Sequence, residues 1–316
     1  LNDALIKMLD VRLTSETITV AEILRDAMLL SVIEESRSKD EVVSREIPFR
    51  ELYLSVTALP VPLSEFDRGT LITFHDITRL KRLEQIRKDF VANVAHEIRT
   101  PITAIKGFAE TLLDGAIDDR ESASRFLQII KRHSERLNSL VNDLLTLSAI
   151  EQGEIKMEIT EINLSEVIDS VLALMEEKAR SKGLYLKKAL PEDTLPIMAD
   201  RDRLLQILLN LVDNGIKFTD SGGITVEVQR DGDKLIISVR DTGCGIEKRH
   251  LPRLGERFYR VDRARSRELG GTGLGLAIVK HLIMAHGWDM QIDSTPGKGT
   301  AVKILVPFCN KILTIH

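Results

Sequence analysis

Two long stretches in the middle of the chain repeat their apolar residues at steps of three and four. The first, from about residue 77 to 113, has them at Leu80, Leu83, Ile86, Phe90, Val94, Ile98, Ile102, Ile105, Phe108 and Leu112. The second has the same steps at Phe126, Ile130, His133, Leu137, Leu140, Leu144 and Leu147. The spacing predicts two amphipathic helices joined by a short loop. Such a hairpin cannot cover its own apolar stripe, so the pattern also predicts a homodimer packed as a four-helix bundle.

Shorter patterns come before this hairpin. Apolar spacing from Leu5 to Leu30 indicates short helices. Strands are predicted at Val42–Phe49, Glu51–Leu59 and Thr70–His75. Residues 1–79 are therefore expected to form a small mixed domain with a thin sheet.

After the hairpin, helical and strand patterns alternate. Helices are predicted at Leu164–Ser181, Arg201–Phe218 and Gly275–Ala285. Strands are predicted at Ile224–Arg230, Lys234–Arg240, Met290–Ser294 and Thr300–Pro307. The whole chain is expected to be a multidomain α+β protein with domains at 1–79, 80–155 and 156–310.

Composition limits the compartment and the partners. Lys and Arg number 44 and Asp and Glu 48, a net charge of −4, so no basic surface for nucleic acid is expected. No run approaches the ~20 apolar residues of a membrane-spanning helix. The chain begins at Leu1 rather than Met, which suggests a piece of a longer protein. Two cysteines, Cys244 and Cys309, cannot form a disulfide framework and favour a reducing compartment.

The first long helix carries a candidate reactive site in the segment His96-Glu97-Ile98-Arg99-Thr100-Pro101. A metalloprotease helix needs a second His four residues after the first, where this chain has Thr100. A lone His is more often an ordinary core or surface residue, but the apolar stripe turns His96 towards solvent. Glu97 could fix the ring tautomer or accept its proton, and Pro101 is expected to bend the helix just past the His.

Three polar residues share one face of the predicted helix 201–218, namely Asn210, Asn214 and Lys217. Two Asn residues on one face are unusual, because Asn is a mediocre helix former. Side-chain carbonyl oxygens suit Mg²⁺ and a nearby Lys suits phosphate. A solvated polar face is an equally good interpretation of this helix taken alone.

Glycines cluster with polar residues at Asp241–Ile246, after a strand, and at Gly270–Leu276, where a helix begins. A dinucleotide-binding fingerprint would place its glycines directly after the first strand of a βαβ unit, which does not fit. A phosphate at the N-terminus of the helix that begins at Gly275 does fit, because backbone N–H groups and the helix dipole point at it. One glycine-rich turn alone is a weak signal.

Together these segments resemble bacterial two-component sensor histidine kinases. His96–Pro101 is similar to their phospho-acceptor box, Asn210–Lys217 to the N box, Asp241–Gly245 and Gly271–Gly275 to the two glycine boxes, and Glu256–Asp262 to the F box in the ATP lid. The motifs occur in the family's order across residues 80–308, and the hairpin region looks most like the phosphate-regulon subgroup. Residues 1–79 resemble the later part of a PAS domain.

The resemblance implies a fold and a reaction. The fold is a PAS-like α/β segment, a dimerising helical hairpin and a C-terminal α/β sandwich of the GHKL type that binds ATP. ATP with Mg²⁺ would phosphorylate His96, with Glu97 as base or orienting partner, and the phosphoryl group would pass to a receiver-domain aspartate of a separate response regulator. Thr100 would position water when the protein dephosphorylates that regulator. This chain would be the cytoplasmic portion of a sensor anchored in the bacterial membrane through a preceding segment.

The resemblance also implies a set of nucleotide-binding residues, which are Asn210, Asn214, Lys217, Asp241, Gly243, Gly245, Arg260, Gly271, Gly273 and Gly275. Asn214 would bind the metal and Asp241 would receive the adenine amino group. Three positions depart from the usual family pattern, namely Gly215, Gly255 and Trp288.

Two other functions fit part of the pattern. A chaperone-type or topoisomerase-type ATPase of the same nucleotide-binding fold would lack the His96 segment. A dimeric scaffold that has lost catalysis would not need Asn214, Asp241 and the glycine clusters, all of which are present.

Overall fold

The computed structural model describes residues 5–6, 26–64, 68–154, 156–191, 196–262 and 271–307. The chain divides into two compact units, residues 1–92 and 93–316, and the division lies inside a continuous helix. The short helices predicted between residues 7 and 25 lie outside the described residues, as do Gly270 and Cys309.

In its described residues, the first unit contains a helix packed on a three-stranded sheet, followed by the beginning of the next long helix. Its elements are α1 (Ala27–Lys39), β1 (Val43–Phe49), β2 (Leu52–Pro62) and β3 (Arg68–Asp76). The strands form an antiparallel meander in the order β1-β2-β3, which confirms the three predicted strands. The Asp26 carboxylate accepts the N–H groups of Met28 and Leu29 and so begins α1. Leu29, Leu54 and other apolar side chains of α1, β1 and β2 form its core.

The two predicted long helices are present. They are α2 (Thr78–Leu113) and α3 (Arg120–Glu151), separated by a short 3₁₀ helix at Ala116–Asp118. The Asp119 carboxylate accepts the N–H groups of Glu121 and Ser122, which fixes the start of α3. The α2 helix stays helical through Pro101. In the second unit the rings of Phe108 and Phe126 lie 5.3 Å apart and pack the two helices together.

Several large apolar side chains of the hairpin remain exposed in the second unit. They are Ile102, Leu113, Leu127, Val141 and Leu145. A single hairpin therefore leaves apolar surface uncovered, as its sequence pattern predicts.

The C-terminal part of the second unit is an α/β sandwich. Its helices are α4 (Leu164–Ser181), α5 (Arg201–Phe218) and α6 (Gly275–Ala285), with a 3₁₀ helix at Lys248–Arg253. Its strands are β4 (Thr160–Ile162), β5 (Tyr185–Ala189), β6 (Ile197–Ala199), β7 (Gly223–Asp231), β8 (Lys234–Asp241), β9 (Asp289–Thr295) and β10 (Gly299–Pro307). Five of the strands form a mixed sheet in the order β5-β7-β8-β10-β9, and β4 pairs with β6.

The three helices lie side by side, and α5 packs directly against β7 and β8. The apolar face of α5 is buried, with Leu204, Ile207 and Leu208 fully covered. Burial of such a side chain contributes about 1.5–3 kcal/mol. This packing fixes the polar face of α5 beside the ends of the strands. Among the described helices, none has the length and apolarity needed to cross a membrane.

Candidate active site

His96 lies on the solvent-facing side of α2, as the sequence predicts. Its side chain is exposed. One turn further on, the Thr100 hydroxyl donates a hydrogen bond to the backbone carbonyl of His96 at 3.1 Å. The imidazole is therefore accessible to a reacting group, and Thr100 is fixed beside it on the same helix.

Glu97 points in a different direction and is held by two arginines. Its Oε2 accepts a hydrogen bond from Nη2 of Arg136 on α3 at 2.8 Å and from Nη2 of Arg260 at 3.1 Å. The Glu97 side chain is only 12% exposed, and the two arginine side chains are 10% and 5% exposed. Charge-assisted hydrogen bonds of this kind are stronger than neutral ones. The carboxylate next to His96 thus connects α2 to α3 and to the C-terminal α/β sandwich, which we call the lobe.

Arg260 lies between α2 and the second glycine cluster. Its Nε lies 3.0 Å from the place that a Cβ atom on Gly273 would occupy. The resemblance places Arg260 near the nucleotide phosphates, and in this structure its guanidinium borders that cluster while it binds Glu97. One side chain therefore contacts both α2 and the second glycine cluster.

The polar face of α5 is half-buried. Asn210 donates from Nδ2 to the Gln206 carbonyl at 3.0 Å, and its Oδ1 lies 2.9 Å from the place of a Cβ on Gly275. Lys217 pairs with Asp213 through Nζ and Oδ2 at 2.7 Å. Asn214 is also half-buried. The face is therefore covered by neighbouring segments and is not the solvated face considered as an alternative.

A network of lysines fixes the end of α5. Burial alone would raise the pKa of Asp213, but Lys217 and Lys178 outweigh it and hold that pKa below its usual value. Lys182 donates from Nζ to the carbonyls of Ile216 at 2.8 Å and Lys217 at 3.1 Å. These carbonyls are acceptors that the helix itself leaves unpaired. The ammonium group of Lys217 is thereby held at a defined position.

Asp241 ends β8 and begins the first glycine cluster. Its Oδ1 accepts the N–H groups of Gly243 at 2.8 Å and Thr300 at 3.1 Å. Burial raises the pKa of Asp241, against these two hydrogen bonds, which lower it. Gly245 has φ +68°, and a Cβ there would lie 2.0 Å from the Thr295 carbonyl oxygen. Only glycine permits this backbone conformation and this approach.

The second glycine cluster meets the helical hairpin. Gly273 has φ +77°, and Gly271 and Gly275 are half-buried. The Thr272 hydroxyl accepts the N–H of Leu274 at 3.2 Å and donates to Oδ2 of Asp143 on α3 at 2.7 Å. The cluster thus lies at the N-terminus of α6, where backbone N–H groups favour an anion.

The structure brings the predicted residues of α5 and of the two glycine clusters together. Asn210 lies against Gly275, and a Cβ on Gly215 would lie 3.5 Å from Cβ of Asp241. Sequence reasoning missed Asp143 and Asp213, which contact Thr272 and Lys217, and Arg136, which contacts Glu97. Their ordinary polar types on long amphipathic helices give no local signal of these contacts.

The donors present fit a magnesium ion bound with a nucleotide. Within the described ranges, no three His, Cys, Asp or Glu side chains are grouped to hold a metal by themselves. Mg²⁺ commonly keeps several waters and takes one or two protein oxygens together with substrate phosphates. The amide oxygen of Asn214, next to Lys217 on one helix face, suits that role.

Comparisons with known proteins identify both parts of the second unit. Residues 86–153 match the model of the His Kinase A (phospho-acceptor) domain. Residues 199–310 match that of the histidine kinase-, DNA gyrase B-, and HSP90-like ATPase. These matches confirm the predicted combination of a helical hairpin with an α/β ATP-binding domain.

Two curated relatives are sensor kinases. The sensor histidine kinase WalK of Bacillus subtilis is 37% identical over 243 residues, which is 76% of this chain and 40% of WalK. The phosphate regulon sensor protein PhoR of Pseudomonas aeruginosa is 41% identical over 238 residues, 74% of this chain and 53% of PhoR. The chain therefore spans about half the length of the curated relatives it matches.

A solved structure covers nearly the whole chain. It is the histidine kinase ThkA in complex with the response regulator protein TrrA, with 26% identity and a TM-score of 0.58. The match covers 98% of this chain and 91% of the ThkA chain.

Proposed function

Because the chain belongs to the histidine kinase family, we propose that it phosphorylates its own His96 from ATP and passes the phosphoryl group to an aspartate of a response regulator. One observation supports this most directly. An exposed imidazole lies on α2, and its neighbour Glu97 is bonded to Arg260, which borders the second glycine cluster. The acceptor helix and the nucleotide-binding lobe are thus connected through a single guanidinium.

The reaction is a phosphoryl transfer to nitrogen. A nitrogen of His96 attacks the γ-phosphorus, a P–N bond forms, and the bond to the bridging oxygen of ADP breaks. A neutral imidazole keeps a lone pair on one ring nitrogen and can act as the nucleophile. The resemblance gives Glu97 the role of orienting the ring or accepting the proton that it loses. In this structure Arg136 and Arg260 hold the Glu97 carboxylate, so it turns from these arginines towards the ring before the transfer.

The nucleotide is held by α5 and the two glycine clusters. Asp241 receives the adenine amino group on its Oδ2, since Oδ1 already accepts two backbone N–H groups. Lys217, Asn210 and the N-terminus of α6 bind the phosphates. Asn214 would hold Mg²⁺ through its amide oxygen, and the ion would supply positive charge to the phosphates. The remaining contacts come from the glycine backbones at Gly243, Gly245, Gly271, Gly273 and Gly275.

The biological unit is a homodimer that is part of a membrane sensor. Dimerisation covers the exposed apolar side chains of the hairpin, which include Ile102, Leu127 and Leu145. A monomer at micromolar concentration in light scattering would contradict it. We place the domains at 1–79 (PAS-like), 80–155 (hairpin) and 156–310 (ATP-binding), with this chain on the cytoplasmic side of a bacterial membrane.

Labelling with γ-labelled ATP tests the kinase activity. We expect an acid-labile, base-stable label that disappears in His96→Gln. His133→Gln is the matched control, because His133 is on the other hairpin helix and half-buried. It should retain the label. Label that persists in His96→Gln would refute the assignment of the acceptor.

Thr100→Ala tests the phosphatase role. Thr100 is one turn beyond His96 and its hydroxyl is held by the His96 carbonyl. The variant should lose dephosphorylation of the phosphorylated regulator while it keeps autophosphorylation. Equal loss of both activities would contradict a separate role for this hydroxyl. Thr103→Ala serves as the control. It removes a similar hydroxyl from the same helix, one that donates to the Arg99 carbonyl.

A further inference from the structure

A carboxylate of the hairpin is bonded to the second glycine cluster. Asp143 on α3 precedes Thr272 by 129 residues, and its Oδ2 accepts the Thr272 hydroxyl at 2.7 Å. The same hydroxyl accepts the N–H of Leu274 at 3.2 Å. Asp143 is therefore connected through one hydroxyl group to the N-terminus of α6.

The groups that act on the Asp143 carboxylate would also attract a phosphate. Burial raises the pKa of Asp143, while the hydrogen bond from Thr272 and the positive charge of Lys217 lower it. The N-terminus of α6 adds the partial positive charge of a helix end. The half-buried Asp143 carboxylate is therefore bonded through Thr272 at the helix terminus that we assign to the nucleotide phosphates.

Two other pairs join the lobe to the hairpin at separate places. Arg260 binds Glu97, and Arg257 binds Glu151. In both of these pairs an arginine balances the carboxylate. The hydrogen bond described for Asp143 comes instead from the uncharged Thr272 hydroxyl, at the start of α6.

We propose that Asp143 is a positioning residue that sets the lobe against α3 through Thr272 and whose negative charge opposes the nucleotide phosphates. Docking of the lobe in this arrangement and nucleotide binding are then negatively coupled. The proposal rests on the proposed function, because it requires phosphates at Lys217 and α6. By linkage, bound nucleotide weakens the docked contact as much as that contact weakens nucleotide binding.

Calorimetric titration with adenosine, ADP and ATP separates an effect of the Asp143 charge from a structural defect. Asp143→Asn keeps the shape of the side chain and an oxygen that can accept the Thr272 hydroxyl, but removes the charge. We expect the Kd for ATP to fall at least about fivefold, a typical size for coupled sites. The Kd for ADP should fall less, and that for adenosine should not change. A structural defect would affect all three ligands alike.

Glu135→Gln is the matched control. Glu135 is on the same helix and carries the same charge, but its side chain is 67% exposed. The substitution should leave all three Kd values unchanged. An unchanged ATP Kd in Asp143→Asn, or an equal change for all three ligands, would overturn the proposal.

Hydrogen exchange without nucleotide tests the positioning effect. Asp143→Ala and Thr272→Val each remove the hydrogen bond, so exchange at the first turn of α6 should rise in both variants. Asp143→Asn should stay near the unsubstituted protein, and exchange unchanged in both hydrogen-bond variants would overturn the positioning role.

The proposed function and the role of Asp143 can be refuted separately. If the unsubstituted protein neither binds ATP nor labels His96, the proposed function fails and the role of Asp143 fails with it. If it binds ATP and labels His96 while Asp143→Asn binds ATP with an unchanged Kd, the role of Asp143 alone is wrong.

Discussion

The guanidinium of Arg260 donates to the carboxylate of Glu97 at 3.1 Å across 163 residues of sequence. Both side chains are almost fully covered, at 5% and 12% exposure. Glu97 is thereby bonded to the lid segment while its neighbour His96 faces solvent, since adjacent residues on a helix point in different directions. The arrangement leaves the nucleophile free and holds its neighbouring carboxylate in the contact between helix and lobe.

Removal of Arg260 should loosen the lobe from the hairpin. Arg260→Ala removes one of the two arginines that bind Glu97 and leaves the hydrogen bond from Arg136. Hydrogen bonds to charged groups contribute about 1.5–3 kcal/mol, so hydrogen exchange of the contacting segments, measured without nucleotide, should rise roughly tenfold or more. The measurement avoids catalysis and therefore reports the contact itself.

Arg257→Ala is the comparison for that experiment. Arg257 pairs with Glu151, but these side chains are 30% and 34% exposed. Pairs open to solvent contribute about 0–1 kcal/mol. A rise in exchange as large in Arg257→Ala as in Arg260→Ala would show that the burial of the Glu97 pair is not what holds the lobe.

Gly215→Ala should destabilise the nucleotide-binding lobe. Ala is the better helix former by about 1 kcal/mol, but a Cβ at this position would lie 2.8 Å from Cγ1 of the fully buried Ile224. Forcing an extra methyl into a packed core costs about 1–3 kcal/mol. We expect a net loss of about 1 kcal/mol in urea unfolding, together with weaker ATP binding because Asp241 is adjacent.

Gly107→Ala provides the opposite case. Gly107 is also inside a helix, α2, but a Cβ there meets nothing within 4 Å. The substitution should stabilise the hairpin, measured by circular dichroism. A stabilised Gly215→Ala protein would mean that Ile224 moves aside easily and that the close approach does not require glycine.

The long elements could be predicted from the sequence because their apolar spacing is regular. Leu164–Ser181, Arg201–Phe218 and Gly275–Ala285 are helices with the predicted bounds. Three short strands, β4, β5 and β6, were not predicted. In Tyr185–Ala189 four of five residues are exposed, so apolar alternation is absent. Its backbone pairing with β7, not its side chains, makes it a strand.

The residues of the candidate site also fall into those that the sequence could predict and those that it could not. Motifs that are contiguous in sequence identified His96, Asn214 and Asp241. The contacts of Arg136 and Asp143 could not be found, because they join groups 39 and 129 residues apart. In the sequence alone, Gly215 is only a residue that weakens a helix. The position of Ile224, which leaves little room for a Cβ, explains why a glycine fits there.

Asp200 should contribute more to stability than an ordinary helix cap. Its Oδ1 accepts the N–H groups of Asp202 and Arg203 at the start of α5, and its Oδ2 accepts the N–H of Glu158. Loss of a cap costs about 0.5–2 kcal/mol, and loss of the further hydrogen bond from the Glu158 N–H adds about 0.5–1.5 kcal/mol. We therefore expect Asp200→Ala to lose about 1–3.5 kcal/mol in urea unfolding.

Asp119→Ala is the matched cap variant. Asp119 also caps a helix, α3, but it is exposed and holds no third N–H among the hydrogen bonds described. Its loss should be smaller. Similar losses for the two variants would show that the bond from Asp200 to Glu158 adds nothing.

Stability should fall in weak acid because of His286. Its Nδ1–H donates to the Leu282 carbonyl at 2.8 Å, its Nε2 accepts the Asp200 N–H at 3.2 Å, and its ring stacks on Trp288 at 4.3 Å. Burial lowers the pKa of His286, against its hydrogen bonds to Leu282 and Asp200 and the charge of Asp200, which raise it. The unfolded chain therefore binds the proton more tightly than the folded one.

This difference in pKa decides how stability depends on pH. The stability that neutral His286 contributes is fully present above its unfolded pKa of about 6.5 and is lost as pH falls through its lower folded pKa. Unfolding followed by fluorescence of Trp288, the single Trp, should show lower stability at pH 5.5 than at 7.5.

His286→Phe should be less stable at pH 7.5 but lose less stability on acidification. His133→Phe should also reduce the slope, because burial lowers the pKa of His133 as well. An unchanged slope in His286→Phe would assign the acid sensitivity to another group.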